Sequence, residues 1–122
     1  MAIILLVEDD PAIRESLAEC LAMEGYAVEA AGNGVEALRR LGAPPRPDLV
    51  LADMVMPVMG GLELLRRIRA EQALAGLPVV MMTAALPPGE AGAPGADGHL
   101  AKPFEIEDLF TVVGRLCRRA GR

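Results

Sequence analysis

Along the 122 residues, short unbroken apolar runs alternate with longer stretches in which apolar residues recur every three or four positions. Ile3 to Val7 is a continuous leucine and β-branched run, the pattern of a strand buried on both faces. Asp10-Pro11 reads as a helix cap followed by a first-turn proline. Behind it Ile13, Leu17, Cys20, Leu21 and Glu24 keep helical spacing, and Gly25 ends the helix. Ala27 to Ala31 predicts a second strand. Asn33-Gly34 is a turn into a helix that carries Val35, Leu38 and Leu41 and closes at Gly42. The proline-rich piece Ala43 to Pro47 suits neither a helix nor a central strand. Asp48 to Ala52 predicts a third strand, Pro57 to Gly61 a loop, and Leu62 to about Leu74 a helix with Leu64, Leu65 and Ile68 inward. Pro78 to Met82 predicts a fourth strand and Gly98 to Ala101 a weak fifth. The last helix, Glu105 to Arg119, places Ile106, Leu109, Phe110, Val113, Leu116 and Cys117 on one face.

A strand-then-helix rhythm repeated five times predicts an α/β, doubly wound (βα)₅ fold, with one parallel sheet covered on both faces. One domain is expected over residues 1–122. The rhythm breaks at Leu86 to Gly95, where three prolines and three glycines fall within ten residues. Proline costs about 3 kcal/mol inside a helix and glycine about 1. The fourth helix is therefore expected to be short, displaced or disordered. The Arg115, Arg118, Arg119, Arg122 cluster reads as a solvated helix end, where cations suit the helix dipole.

Composition narrows the function classes. With 52 % hydrophobic residues the chain can bury a core, yet its longest apolar run, Ala2 to Val7, is far short of the roughly 20 residues that span a membrane. A net charge of −5 argues against binding nucleic acid through phosphate neutralisation, and 2 % aromatics against a base-stacking platform. The run has no basic lead, so no export signal is expected. Cys20 and Cys117 have no metal-binding spacing and read as reduced thiols, which with the missing signal predicts a cytoplasmic protein.

In open α/β sheets, chemistry gathers beyond the carboxyl ends of the strands. Glu8, Asp9 and Asp10 follow the first predicted strand, Asp53 the third, Thr83 the fourth and Lys102 the fifth. Clustered carboxylates raise one another's pKa, and a hard divalent cation relieves them. Mg²⁺ favours a few carboxylates with water and phosphate oxygens. Asp53 is then a candidate nucleophile for an aspartyl phosphate, Thr83 a donor to a phosphoryl oxygen, and Lys102 a neutraliser of the group in flight. Taken singly, each residue reads as a cap, a turn residue or a solvated cation; the convergence of all of them on one crevice carries the argument.

The run Ile4-Leu5-Leu6-Val7-Glu8-Asp9-Asp10-Pro11, the segment Asp53-Met54-Val55-Met56-Pro57-Val58-Met59-Gly60-Gly61, then Met82-Thr83-Ala84 and Lys102-Pro103-Phe104 resemble the receiver domain of two-component response regulators, over essentially the whole chain. The resemblance implies the sheet order 2-1-3-4-5, which the receiver fold exemplifies. It implies that Asp53 takes a phosphoryl group from a phosphohistidine on a sensor histidine kinase or a histidine phosphotransfer protein. Asp9 would bind Mg²⁺ directly and Glu8 through water, and the Val55 backbone carbonyl and Asp53 would complete the protein ligands. Asp10 is a further possible ligand, though capping of the helix is its leading role. Thr83 and Lys102 match the switch hydroxyl and the family's lysine, and the Lys102-Pro103 bond is one that the family usually makes cis. The implied protein is no enzyme on outside substrates, catalysing only its own aspartate's phosphorylation and dephosphorylation. It is expected to be a stand-alone module, a monomer or weak dimer, acting through a downstream protein and touching neither nucleic acid nor membrane.

Three departures from the family pattern change the expectations. His99 stands three residues before Lys102, where the family has the Tyr or Phe that turns inward on activation; it is the candidate switch residue, and unlike Phe it changes charge near neutral pH. The stretch from Thr83 to His99 is shorter than usual by about one helical turn. Val55 and Ala85 are apolar where the family's residues influence how water reaches the phosphoryl group, which predicts a long-lived phosphorylated state. Two other readings compete. A binding module that has lost phosphorylation is disfavoured by the intact Asp53, Thr83 and Lys102. An aspartate-nucleophile phosphatase is disfavoured by Val55, which stands where such an enzyme has its general-acid Asp.

Overall fold

The computed structural model of the chain describes residues 1–84 and 95–120, the last three as backbone. In chain order the elements are β1 (Ile3–Val7), α1 (Pro11–Met23), β2 (Ala27–Ala31), α2 (Gly34–Leu41), β3 (Leu49–Asp53), α3 (Gly61–Ala70), a 3₁₀ turn (Gln72–Leu74), β4 (Val79–Thr83), β5 (Gly98–Ala101) and α4 (Ile106–Ala120). The expected short fourth helix at Leu86 to Gly95 falls almost wholly on 85–94, outside the described residues. The label α4 here belongs to the final helix.

All five strands are parallel and lie in the order β2-β1-β3-β4-β5. Strand alternation sends side chains to two separate cores. Leu5, Val7, Val50, Ala52, Val79 and Met81 pack with α2 and α3. Ile4, Leu6, Leu49, Leu51, Val80 and Met82 pack with α1 and α4. Both faces of β1, β3 and β4 are thus covered, which is why these strands read as unbroken apolar runs.

β3 and β4 each run one residue later than the sequence pattern predicts, ending on Asp53 and Thr83. Asp53 pairs with Met82 and Thr83 with Ala101, so two site residues are the last paired residues of their strands, not the first of their loops. At the other end Pro78 has no N–H to give; its carbonyl still accepts from Val50 N at 2.9 Å. The third helix is also shorter than its periodicity suggests. It stops at Ala70, Glu71 turns extended at φ −91°, ψ 118°, and Leu74 is buried by the separate 3₁₀ turn. In α1 the inward residues are Leu17 and Leu21, and Ile13 is partly exposed. In α2 they are Gly34, Ala37 and Leu41. The predicted final helix buries Leu109, Val113, Leu116 and Cys117 as expected.

Candidate functional site

Four strand ends open onto one crevice. β1 hands over to Glu8, whose N–H donates to Ala31 O at 3.0 Å and prolongs the pairing with β2 by one residue. Asp10, extended at φ −79°, ψ 115°, accepts from Ala12 N at 2.9 Å and from Ile13 N at 3.3 Å. Its carboxylate is the N-cap of α1, with Pro11 in the first turn. This turn swings Glu8 and Asp9 toward β3. There Asp53 ends the strand, and Met54 N donates to Met82 O at 2.9 Å. The loop closes when Gly61 N donates to Met54 O at 2.9 Å. A side chain at Gly61 would put its Cβ 2.4 Å from Asp53 O, so glycine is what lets α3 start this close to the strand end. The same loop leans on α2, where Gly34 N donates to Met59 O at 2.9 Å. A Cβ at Gly34 would meet Met59 Cγ at 2.6 Å.

Carboxylate oxygens of Glu8, Asp9 and Asp53 lie within 4.8 Å of one another. Glu8 is buried, Asp53 half-buried and Asp9 exposed. Asp10 is not in this cluster. From β5, Lys102 Nζ donates to Asp53 Oδ2 at 3.0 Å and to Glu8 Oε1 at 3.4 Å. Burial pushes the Glu8 carboxyl above its ordinary value; the Asp53 charge adds to this, against an Asp10 N–H bond and Lys102. Burial opposes the Lys102 ammonium as well, but its hydrogen bond to Asp53, the charge of Asp53 and then Glu8 raise its pKa overall. Among the described residues the crevice thus holds three acids against one cation, with every ligating atom an oxygen. That donor set suits a hard, oxygen-seeking divalent ion.

Thr83 is buried, and its Oγ1 has no hydrogen-bond partner among the described residues. An unpartnered buried hydroxyl is uncommon. Lys102 N donates to Thr83 O at 2.6 Å, tying the ends of β4 and β5 together. The Lys102–Pro103 peptide is cis. Val55 N donates weakly to Asp53 Oδ1 at 3.4 Å, and the Val55 side chain is exposed. Ala85 lies outside the described residues. His99 is half-buried, pairs in register with Met81 and lines a cleft of about 380 Å³ with Pro103, Phe104 and Thr111. A second, apolar cleft of about 420 Å³ lies beside Lys102, lined by Ile13, Leu17, Ala84, Pro103 and Phe104.

The arrangement has close relatives. Residues 4–114 match the response regulator receiver domain. The chain belongs to the response regulator receiver family. It is 43 % identical over 119 residues to the response regulator MprA of Mycobacterium leprae, covering 95 % of this chain and 51 % of that protein. The chain spans about half the length of the curated relatives it matches. The receiver domain of a signal transduction histidine kinase from Syntrophus aciditrophicus superposes with a TM-score of 0.91 at 35 % identity, covering 100 % of this chain and 94 % of that one. TrrA of Thermotoga maritima, a response regulator solved in complex with Mg²⁺-BeF, superposes at 0.84 with 35 % identity, covering 95 % of this chain and 99 % of that one. Among the described residues no helix is long and apolar enough to cross a membrane.

Two residues at this receiver site escape the sequence patterns. Arg14 reaches back from α1 so that Nη1 donates to Glu8 O at 2.8 Å. Val58, in the loop after Asp53, has φ 71°. Neither residue type advertises its role: an arginine on a helix reads as solvated, and a valine gives no signal for a left-handed turn.

Proposed function

We propose that the chain is the phospho-accepting receiver of a His–Asp two-component relay, with Asp53 as the acceptor. The observation that carries this reading is the placement of Asp53, with Glu8 and Asp9 oxygens within 4.8 Å and Lys102 Nζ at 3.0 Å. One Asp53 carboxylate oxygen attacks the phosphorus of a partner's phosphohistidine. The P–N bond breaks, the histidine keeps the electron pair, and an acyl phosphate forms. Lys102, released from Asp53 Oδ2, pairs with a phosphoryl oxygen and balances its charge. The Thr83 hydroxyl donates to another, which gives that buried oxygen its partner and draws the end of β4 toward the site. Asp9, Asp53, the Val55 carbonyl and, through water, Glu8 are the groups that hold Mg²⁺. Bound there, Mg²⁺ offsets the charge that builds on the transferring group. The Mg²⁺-BeF complex of the Thermotoga relative supports this assignment.

The donor is a sensor histidine kinase or a histidine phosphotransfer protein. Thr83 and His99 transmit the change to a downstream protein. The 122 residues act as one receiver domain in the cytoplasm, as a monomer or weak dimer, and catalyse only their own modification. To test this, the protein is incubated with Mg²⁺ and a small acyl phosphate and weighed intact. One phosphoryl adduct is expected on the parent and none on Asp53→Asn. Equal adduct on both would move the acceptor elsewhere.

A further inference from the structure

Arg14 has no part in the chemistry just described, yet it touches the acidic turn. It is half-buried, and it forms no ion pair with a carboxylate among the described residues. A cation in the first turn of a helix works against the helix dipole, so the stability of α1 does not explain it. What it makes is one short bond, Nη1 to Glu8 O at 2.8 Å. The peptide joining Glu8 to Asp9 is planar, so holding the Glu8 carbonyl fixes the direction in which the chain enters Asp9. The rest of Glu8 is already held. Its N–H is tied to Ala31 O at 3.0 Å, and its Oε2 accepts from Asp10 N at 3.2 Å. β2, the turn and α1 thus each supply one bond to the residue that precedes Asp9.

The geometry points to Arg14 as a positioning residue for the cation site: its bond to the Glu8 carbonyl locks the peptide plane that aims Asp9 at the cluster. This rests on the reading that the three acids hold Mg²⁺. Coulomb's law and positioning predict opposite signs for loss of Arg14. Removing a positive charge near a cation site strengthens cation binding, whereas removing the bond loosens Asp9 and weakens it.

Mg²⁺ is titrated into the ¹⁵N-labelled protein, and affinity is read from the backbone amide shifts of residues 8–10 and 53–55. Arg14→Met is expected to weaken Mg²⁺ about tenfold, in the range seen for groups that orient metal ligands. Arg14→Lys, which keeps the charge and one donor, is expected to recover most of that loss. Unchanged or tighter binding by Arg14→Met overturns the inference while leaving the proposed function intact. A lysine variant as weak as the methionine variant overturns the Glu8 bond as the cause. A parent whose site amides do not respond to Mg²⁺ at all overturns the metal reading itself, and this inference with it.

Discussion

Val58 sits at φ 71° with its side chain 81 % exposed. The left-handed region costs a residue with a Cβ roughly 1–2 kcal/mol, more when it is β-branched, and an exposed side chain gains little packing to offset it. Glycine removes this strain but adds freedom to the unfolded chain, about 0.4–1 kcal/mol in the other direction. Val58→Gly is therefore expected to raise stability by about 0.5–1 kcal/mol, seen as a higher denaturation midpoint with an unchanged slope. A lower midpoint would mean that the loop needs valine. Glu8 is the opposite kind of strain, electrostatic and buried. Its folded pKa is raised above 4.5, so the folded protein holds that proton more tightly than the unfolded chain does. Its contribution to stability is most favourable in acid and is lost as pH rises from 4.5 through the folded value. In metal-free protein, Glu8→Gln should be more stable than the parent at neutral pH, and the gap should close as pH falls toward 4.5. Melting curves at several pH values in a chelator decide it; a gap that widens in acid would contradict the sign.

α4 and α1 each carry one cysteine, and only the one on α4 belongs to the apolar core. Cys117 is 7 % exposed among the α4 core residues, whereas Cys20 is half-buried on α1. Burial, with a smaller push from the Asp48 charge, raises the Cys117 thiol to about 11. The thiolate is the reactive form, so Cys117 stays protonated and inert at pH 8. Native protein treated with iodoacetamide should gain one adduct, on Cys20, and a second only after unfolding. Two adducts at similar rates would show that the C-terminal end of α4 opens readily. The same burial logic explains where helix periodicity misleads. α3 and the 3₁₀ turn look like one helix because Leu64, Leu65, Ile68 and Leu74 are all apolar and all packed. Periodicity counts inward residues and does not register the extended Glu71 that separates the two pieces.

Across the whole molecule, one arginine ties distant pieces of chain together. Arg69 on α3 donates to Ala75 O at 3.0 Å, Leu77 O at 2.7 Å and Gly95 O at 2.8 Å, and pairs with Asp97 Oδ2 at 2.8 Å. Asp97 Oδ2 also accepts from Val79 N at 2.9 Å. The entrance to β4, the approach to β5 and the end of α3 thus meet on one guanidinium, at the end of the sheet away from the acids. The group is partly exposed, which puts each of the four interactions at the low end of the usual range, about 0.5 kcal/mol net, so Arg69→Met should cost about 2 kcal/mol. Hydrogen exchange should accelerate at the Val79 and Asp97 amides and leave the β1 amides protected. Uniform acceleration would instead mean that the whole sheet unfolds as one unit without local opening.

β1, β3 and β4 were legible from residue order because a strand covered on both faces has to be apolar at nearly every position. The acids, the threonine and the lysine were legible for a related reason. A parallel sheet puts the ends of its strands on one edge, so residues far apart in order, Glu8 and Lys102 among them, converge once the topology is known. Asp10's place at the helix cap was foreseeable from Pro11, and the carboxylate accepts from Ala12 and Ile13 N–H there. The strand ends at Asp53 and Thr83 were not legible, since register is set by partners on neighbouring strands. Nor were the roles of Arg14, Val58 and Arg69. Each depends on a backbone carbonyl or a dihedral angle supplied by chain elsewhere, and a carbonyl is the same at every residue. Apolar pattern is written in side chains; the direction of a peptide plane is decided only when the chain has packed against itself.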